Sequence, residues 1–209
     1  DHIAEFFSLL LASAAGMEVL KRGGNAVDAA VTMAGVLAVV RPHMNGVGGD
    51  NFMLIRLAKS GEIVALNGSG RAGSKATPAF FREKGLTAVP TSGVLSVSVP
   101  GAVRGWADAL QKYGTIPLSQ ALQPAIRYAE RGFPVSPRLN ADITESKKKV
   151  AADPELARIF LPNGDAPPVG SLLKQPELAR TLRSIAASGP DFVYKGALAT
   201  QITKFMEKE

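Results

Sequence analysis

The strongest constraint on this chain is a long segment that carries a single charge. Residues 26–40 read AVDAAVTMAGVLAVV, in which Asp28 is the only charged side chain. Asn25 is a residue type that caps helix N-termini, and Asp28 falls in the first turn, where a carboxylate is favourable. Pro42 ends the helix. Because a helix that is apolar on nearly all sides must be buried, the chain has to fold around it. Its alanines allow close packing against a sheet.

A second helix is predicted just upstream. Residues 11–22 repeat apolar side chains at helical spacing, and Gly23-Gly24 ends the pattern. Residues 6–15 (FFSLLLASAA) resemble the apolar core of a signal peptide, but Asp1 and Glu5 stand where a leader would be basic. We therefore expect a helix that enters the fold. Since the chain does not begin with Met, we expect the native start to lie elsewhere.

Three strands are predicted in the first half of the chain. Residues 52–57 and 63–66 read as a hairpin around the turn at 59–62, and residues 94–99 alternate apolar side chains with serine. Three strands are too few to complete a sheet. We therefore expect further strands from a partner or from segments outside this chain.

The second half of the chain reads as helical. Pro100 suits the first turn of a helix that runs to Tyr113, and Pro124 is expected to kink the next helix. The helices predicted after Tyr113 cover residues 118–130, 138–150, 154–160, 176–187 and 196–208. This organisation predicts one α+β domain over residues 1–209, in which 1–115 contribute the sheet and 116–209 are mainly helical.

Composition excludes several classes of function. The net charge is +6, but the basic residues are scattered, and the run Lys147–Lys149 reads as a solvated helix face, so we expect no nucleic-acid partner. With no cysteine and two histidines, a disulfide, a thiolate metal site or a histidine zinc site is not expected. No apolar run reaches about 18 residues, so no membrane span is predicted. The compartment stays open between cytoplasm and periplasm or secretion.

A glycine-rich segment, residues 65–78 (ALNGSGRAGSKATP), superficially resembles a phosphate loop. The glycine spacing fits, but Ser74 occupies the position of the essential lysine and Lys75 comes one residue late. The glycines of residues 46–49 precede a strand, whereas a dinucleotide fingerprint follows one. Neither segment therefore predicts a nucleotide site.

Arg71 is the main candidate for a binding residue. It follows a predicted strand and has small neighbours, which leave its planar fork of donors open to a carboxylate. The alternative is an ordinary surface arginine. His43 lies in a turn, where it could orient the loop, contact a substrate or pack at a helix end. No Gly-x-Ser-x-Gly elbow or other nucleophile with a base is evident, so we expect no catalytic residue in this chain.

Four blocks of sequence resemble the gamma-glutamyltransferase family in the family's own order. They cover residues 16–30, 40–52, 99–103 and 124–133. The resemblance implies an N-terminal-nucleophile hydrolase fold, an αββα sandwich, of which this chain is the large-subunit part with a helical second half. It also implies a precursor that cleaves itself before a threonine. That threonine, at the N-terminus of a partner small subunit, is nucleophile and base; this chain is expected to stop before it.

The resemblance further assigns roles to residues of this chain. Arg71 falls at the position of the arginine that grips the substrate's α-carboxylate in the family, and no cofactor or metal is implied. Asn67, His43 and Asn45 are further candidates for substrate binding. The expected substrate is a small amide that bears a carboxylate, and the expected activity is gamma-glutamyl hydrolysis or transfer.

Two departures from the transferase pattern point towards other branches of the family. Ala72 replaces the usual acidic residue after the arginine, and Gly49-Asp50-Asn51 replaces Gly-Gly-Gly. This version is more similar to oxamate amidohydrolases and cephalosporin acylases. Those activities, or a non-catalytic member of the family, are the alternatives to gamma-glutamyl chemistry.

Overall fold

The computed structural model describes residues 2–208, and their side chains from residue 9 onward. It divides into two compact units, one built from residues 2–46 and 110–187 and the other from residues 47–109 and 188–208. We describe each unit by itself. A single domain over residues 1–209 stays a prediction.

Helices dominate the described residues, as expected for the second half of the chain. The helices are α1 (His2–Lys21), α2 (Ala26–Val40), α3 (Pro78–Glu83), α4 (Ala102–Tyr113), α5 (Leu118–Ala121), α6 (Gln123–Arg131), α7 (Pro137–Glu145), α8 (Lys147–Ala151), α9 (Pro154–Phe160), α10 (Pro176–Ser188), α11 (Asp191–Tyr194) and α12 (Ala197–Lys208). The strands are β1 (Asn51–Arg56), β2 (Ile63–Gly68), β3 (Phe133–Pro134) and β4 (Leu172–Leu173).

The helix α2, in which Asp28 is the single charged residue, is buried in the first unit, as predicted. Val31, Val36 and Val39 are fully buried, and the helix packs against α1, α5 and α6. Asn25 caps it as expected: its side-chain oxygen accepts from the N–H groups of Val27 and Asp28, and the Asp28 carboxylate accepts from the N–H of Asn25. Within the described residues, its neighbours are therefore helices.

Two of the predicted helices of the first unit are each divided. The helix expected over 118–130 is broken into α5 and α6, because Pro124 in the first turn of α6 has no N–H to continue the ladder. The helix expected over 138–150 ends at Ser146, where α8 begins. The helices predicted over 154–160 and 176–187 are confirmed as α9 and α10.

The second unit contains the predicted hairpin. β1 and β2 pair antiparallel from Asn51 opposite Gly68 to Arg56 opposite Ile63, and Gly61 turns the chain with a positive φ of 74°. Alternate residues face opposite sides of the hairpin, and the more exposed side includes Phe52.

The prediction of a strand over residues 94–99 is wrong. Gly93 has a positive φ of 82°, and Val94–Ser96 form a 3₁₀ turn. The Ser96 hydroxyl donates to the Gly93 carbonyl at 2.7 Å, which closes the turn locally. Serine competes for backbone groups in this way, so alternation of serine with apolar residues did not suffice to make a strand.

Candidate functional site

The hairpin carries two of the predicted site residues to the same end. Asn67 is the penultimate residue of β2 and pairs with Phe52 of β1, and Arg71 follows three residues after β2 ends. Both side chains are exposed. Asn67 and Arg71 therefore lie near the same end of the hairpin, and their role in substrate binding stays a prediction.

The backbone around Arg71 is held on both sides. The N–H of Gly70 donates to Oδ1 of Asp50 at 3.0 Å, and the carbonyl of Arg71 accepts from the N–H of Val99 at 2.9 Å. Asn67 contributes as well, because its side-chain oxygen accepts from the N–H of Ser69 at 2.9 Å. The position of the Arg71 main chain is thus fixed by three hydrogen bonds to residues of the same unit.

The glycines of the loop allow two backbone segments to touch. A Cβ on Gly70 would overlap the carbonyl oxygen of Val99, and a Cβ on Gly101 would overlap the carbonyl oxygen of Gly68. No other residue type fits where main chains approach so closely. The open space expected around a ligand is found only further along, at Gly73, where a Cβ would meet nothing within 4 Å.

The Arg71 side chain contrasts with this fixed backbone. Among the described residues, no hydrogen bond or ion pair engages its guanidinium, and the residue is exposed. A planar guanidinium with free donors can bind a carboxylate through two parallel hydrogen bonds. The loop therefore presents an exposed guanidinium from a backbone that hydrogen bonds hold on both sides of Arg71.

The other two predicted residues, His43 and Asn45, lie in the first unit. Nε2 of His43 is 2.8 Å from Oδ2 of Asp142 in α7, and Asp142 is also paired with Arg138 at 2.6 Å. The N–H of Asn45 donates to the carbonyl of Arg41 at 3.1 Å. These contacts join the turn that contains His43 to α7, and the three roles predicted for His43 stay predictions.

A small cavity adjoins the His43–Asp142 pair. It measures about 170 Å³ and is otherwise lined mostly by apolar side chains of α7, α8 and α9, such as Leu139, Ile143 and Phe160. The space is smaller than the 300–1,000 Å³ of typical ligand pockets. The cavity therefore does not by itself indicate a ligand site at the pair.

Asp28 is the most completely buried charge of the first unit. Its carboxylate accepts four hydrogen bonds, from the N–H groups of Asn25, Thr115 and Ile116 and from the Thr115 hydroxyl. Burial raises the pKa of Asp28, but the bonds from Thr115, Asn25 and Ile116 together outweigh burial and lower the pKa below its ordinary value. Asp28 joins the start of α2 to the segment after α4.

A polar cluster in the second unit holds the start of α4. The N–H of Arg104 donates to the Tyr194 hydroxyl at 3.1 Å, and the Arg104 guanidinium donates to Asp191 at 2.9 Å. Burial raises the pKa of Tyr194, and the hydrogen bonds from Lys195 and Arg104 lower the pKa of Asp191. The cluster ties α4 to α11.

Two further findings concern metals and membranes. Among the described residues, no group of three or more His, Asp or Glu side chains is placed to hold a metal ion. In the same part of the chain, no helix has the length and apolar character needed to cross a membrane.

Sequence reasoning missed two residues that support the candidate site residues. Asp50 was noticed only as a departure from a glycine run, and its bond to Gly70 depends on a contact between segments twenty residues apart. Asp142, the partner of His43, lies still further along the chain. Neither contact has a local sequence signal, because each joins distant segments.

Comparison with known proteins adds the family. The sequence model described as gamma-glutamyltranspeptidase matches residues 12–209. The chain is 42% identical over 205 residues to the acylase ACY 1 proenzyme of Pseudomonas sp. (strain SE83), and 41% identical over 198 residues to the glutathione hydrolase-like YwrD proenzyme of Bacillus subtilis (strain 168). Each alignment covers 94% of this chain and 37% of the relative. The chain thus spans little more than a third of these relatives.

A solved structure agrees with the sequence matches. The gamma-glutamyltranspeptidase of Helicobacter pylori superposes with a TM-score of 0.89 at 38% identity, over 95% of this chain and 58% of that one. The resemblance inferred from four sequence blocks is therefore confirmed over almost the whole length. The chain belongs to the gamma-glutamyltranspeptidase family, of which it is a large-subunit part with the N-terminal-nucleophile hydrolase fold.

Proposed function

We propose that this chain is the large-subunit part of a self-processed amidohydrolase or acyltransferase that cleaves an amide near a carboxylate. The observation that carries the proposal is the guanidinium of Arg71, which has no hydrogen-bond or ion-pair partner among the described residues and lies on a loop whose backbone is held on both sides. Gamma-glutamyl hydrolysis or transfer is the activity that the proposal assigns first. The substrate is a small amide, and no cofactor is required.

The nucleophile in this proposal is the N-terminal threonine of a partner small subunit. Its hydroxyl oxygen attacks the amide carbonyl while its own amine takes the proton. The carbon–nitrogen bond then breaks, the amine leaves with a proton, and an acyl ester remains on the threonine. Water or a second amine attacks that ester and releases the product. Arg71 does not move a proton; it holds the carboxylate so that the carbonyl meets the threonine in a productive orientation.

Acylase activity is the second candidate, and two residues favour it. Asp50 and Ala72 depart from the transferase pattern in the same direction, and the relative named as an acylase is as similar to this chain as the glutathione hydrolase-like one. In this version of the proposal, the acyl group that is released itself ends in a carboxylate. Arg71 then binds that terminal carboxylate, and the remaining chemistry is unchanged.

The test of the proposal is Arg71→Ala in the complete processed protein, assayed with a gamma-glutamyl anilide and with a glutaryl amide. Loss of a two-pronged charged hydrogen bond costs about 2–4 kcal/mol, or roughly 30- to 700-fold in kcat/KM. Arg71→Lys retains the charge without the fork and should recover only part of the loss. Lys75→Ala, which removes an exposed cation from the same loop, is the matched control. Equal kcat/KM for Arg71→Ala and the unaltered protein would exclude this role.

Processing is tested separately by mass spectrometry of the purified complete protein. The proposal expects a second polypeptide that begins with threonine. A single uncleaved chain would instead identify a non-catalytic member of the family, whatever Arg71 binds.

A further inference from the structure

We infer that Asp50 is the positioning residue that sets the carboxylate selectivity of the Arg71 loop. The inference rests on the proposed function, because it concerns the same loop. It goes beyond that function by assigning substrate selectivity to a side chain that itself does not touch the substrate.

The first step is the geometry of the contact. Asp50 comes immediately before β1, and its Oδ1 lies 3.0 Å from the N–H of Gly70. A carboxylate that accepts from a backbone N–H makes a stronger bond than a neutral acceptor does. The bond therefore holds the Ser69–Gly70 peptide, one residue before the proposed binding residue Arg71.

The second step concerns the N-terminal side of Arg71, where the bond from the Gly70 N–H to Asp50 is the nearer of two, since the bond to Asn67 holds the N–H of Ser69. The far side is fixed by the bond from Val99 N–H to the Arg71 carbonyl. Gly70 lacks a side chain, so no side-chain packing of its own fixes the direction of its N–H. Without the Asp50 carboxylate, the Gly70 N–H loses its acceptor and the Arg71 main chain loses one of its three anchoring hydrogen bonds.

The third step links this anchor to selectivity. Two parallel hydrogen bonds to a carboxylate demand a fixed direction of approach, whereas an amide substrate without a carboxylate makes no demand on Arg71. Loss of the anchor therefore weakens the binding of substrates that bear a carboxylate and leaves the binding of substrates without one unchanged. The effect falls on KM, because the contact of Asp50 is with the backbone that carries the proposed binding residue.

The experiment compares four variants of the complete processed protein: Asp50→Ala, Asp50→Asn, Glu62→Ala and Arg71→Ala. Each is assayed with a gamma-glutamyl anilide and with its analogue that lacks the α-carboxylate. We expect Asp50→Ala to raise KM for the first substrate about tenfold, with kcat nearly unchanged and no effect on the analogue. Asp50→Asn keeps an acceptor oxygen and should restore most of the affinity. Glu62→Ala removes the same charge from the exposed turn of the hairpin and should change neither substrate.

A readout independent of activity completes the test. Amide hydrogen exchange measured by mass spectrometry over residues 67–73 should be faster in Asp50→Ala than in Asp50→Asn or Glu62→Ala. Unchanged exchange in Asp50→Ala would overturn the inference, as would an equal loss on both substrates. If Arg71→Ala has no effect on kcat/KM while Asp50→Ala speeds amide exchange, the proposed function fails. The selectivity inference then fails with it, but the faster exchange still supports the contact between Asp50 and the loop. If Arg71→Ala acts and Asp50→Ala does not, the inference alone fails.

Discussion

The buried carboxylate of Asp28 allows a prediction of stability from its hydrogen bonds. The perturbation is Asp28→Asn, which preserves the shape of the side chain and replaces one acceptor oxygen by a donor. The remaining oxygen can still accept from the N–H groups of Thr115 and Ile116. The new amide then faces the N–H of Asn25, a donor against a donor, while the Thr115 hydroxyl can rotate to accept.

The magnitude follows from these losses. The substitution removes the charge-assisted hydrogen bond from the Asn25 N–H and leaves that N–H without an acceptor. Together these losses cost about 3 kcal/mol, within roughly 2–5 kcal/mol. In a cooperative unit of roughly 150–250 residues, each kcal/mol lowers Tm by about 2–4 °C. We therefore expect Asp28→Asn to lower Tm at pH 7 by roughly 6–12 °C.

The assay is thermal denaturation of the complete protein, with Asp153→Asn as the matched control. Asp153 caps α9 from an exposed position, and asparagine caps a helix about as well as aspartate, so this control should change Tm little. A Tm of Asp28→Asn equal to that of the control would refute the reasoning.

The pH dependence tests the charge itself. The pKa of Asp28 in the folded protein lies below its ordinary value of 3.8, so its contribution is complete above that value and is lost as the pH falls through the lower folded pKa. Because asparagine does not titrate, the Tm difference between the unaltered protein and Asp28→Asn should be constant above about pH 5 and narrow in acid. If the Tm difference between the two proteins stayed the same below the folded pKa, the Asp28 side chain would not be stabilising the fold as a charged carboxylate.

Two further predictions follow from the second unit. Gly70→Ala should lower both Tm and kcat/KM, because the added Cβ would overlap the Val99 carbonyl oxygen. Gly73→Ala is the control and should change neither quantity, since a Cβ there meets nothing within 4 Å. Equal Tm and kcat/KM values for the two variants would contradict the close approach of the backbone at Gly70. Tyr194→Phe removes the acceptor of the Arg104 N–H and should cost about 1 kcal/mol, read as a fall in Tm of a few degrees; an unchanged Tm would show that the hydroxyl does not hold the start of α4.

The elements that could be predicted from sequence are those whose signals are local. The bounds of α2 follow from its cap at Asn25 and from Pro42, and its burial follows from its lack of charge. The hairpin follows from two apolar runs around Gly61. The segment 94–99 has an equally regular pattern, but a local serine hydrogen bond makes it a turn. Periodicity alone did not distinguish the two outcomes.

The sequence predicted the binding residue of the candidate site, Arg71, but not the contacts that hold its backbone. Arg71 stands out in sequence because its neighbours are small, and that prediction needs no long-range contact. Its backbone, however, depends on Asp50 and Val99, which lie twenty or more residues away in opposite directions along the chain. The role of the glycines also differs from the expectation. The sequence predicted that they leave clearance for a ligand, whereas Gly70 allows two backbone segments to pack closely.

The charges around the loop explain why geometry should govern its selectivity. With Ala72 after Arg71, no adjacent acidic residue competes for the guanidinium, and the carboxylate of Asp50 already accepts from the Gly70 N–H. Between exposed charges about 4 Å apart, the attraction in water is only about 1 kcal/mol, and salt screens it further. Removal of Asp50 therefore acts mainly through the direction in which Arg71 is held. An effect of direction appears as lost discrimination between substrates with and without a carboxylate, whereas an effect of charge would strengthen binding of every anion.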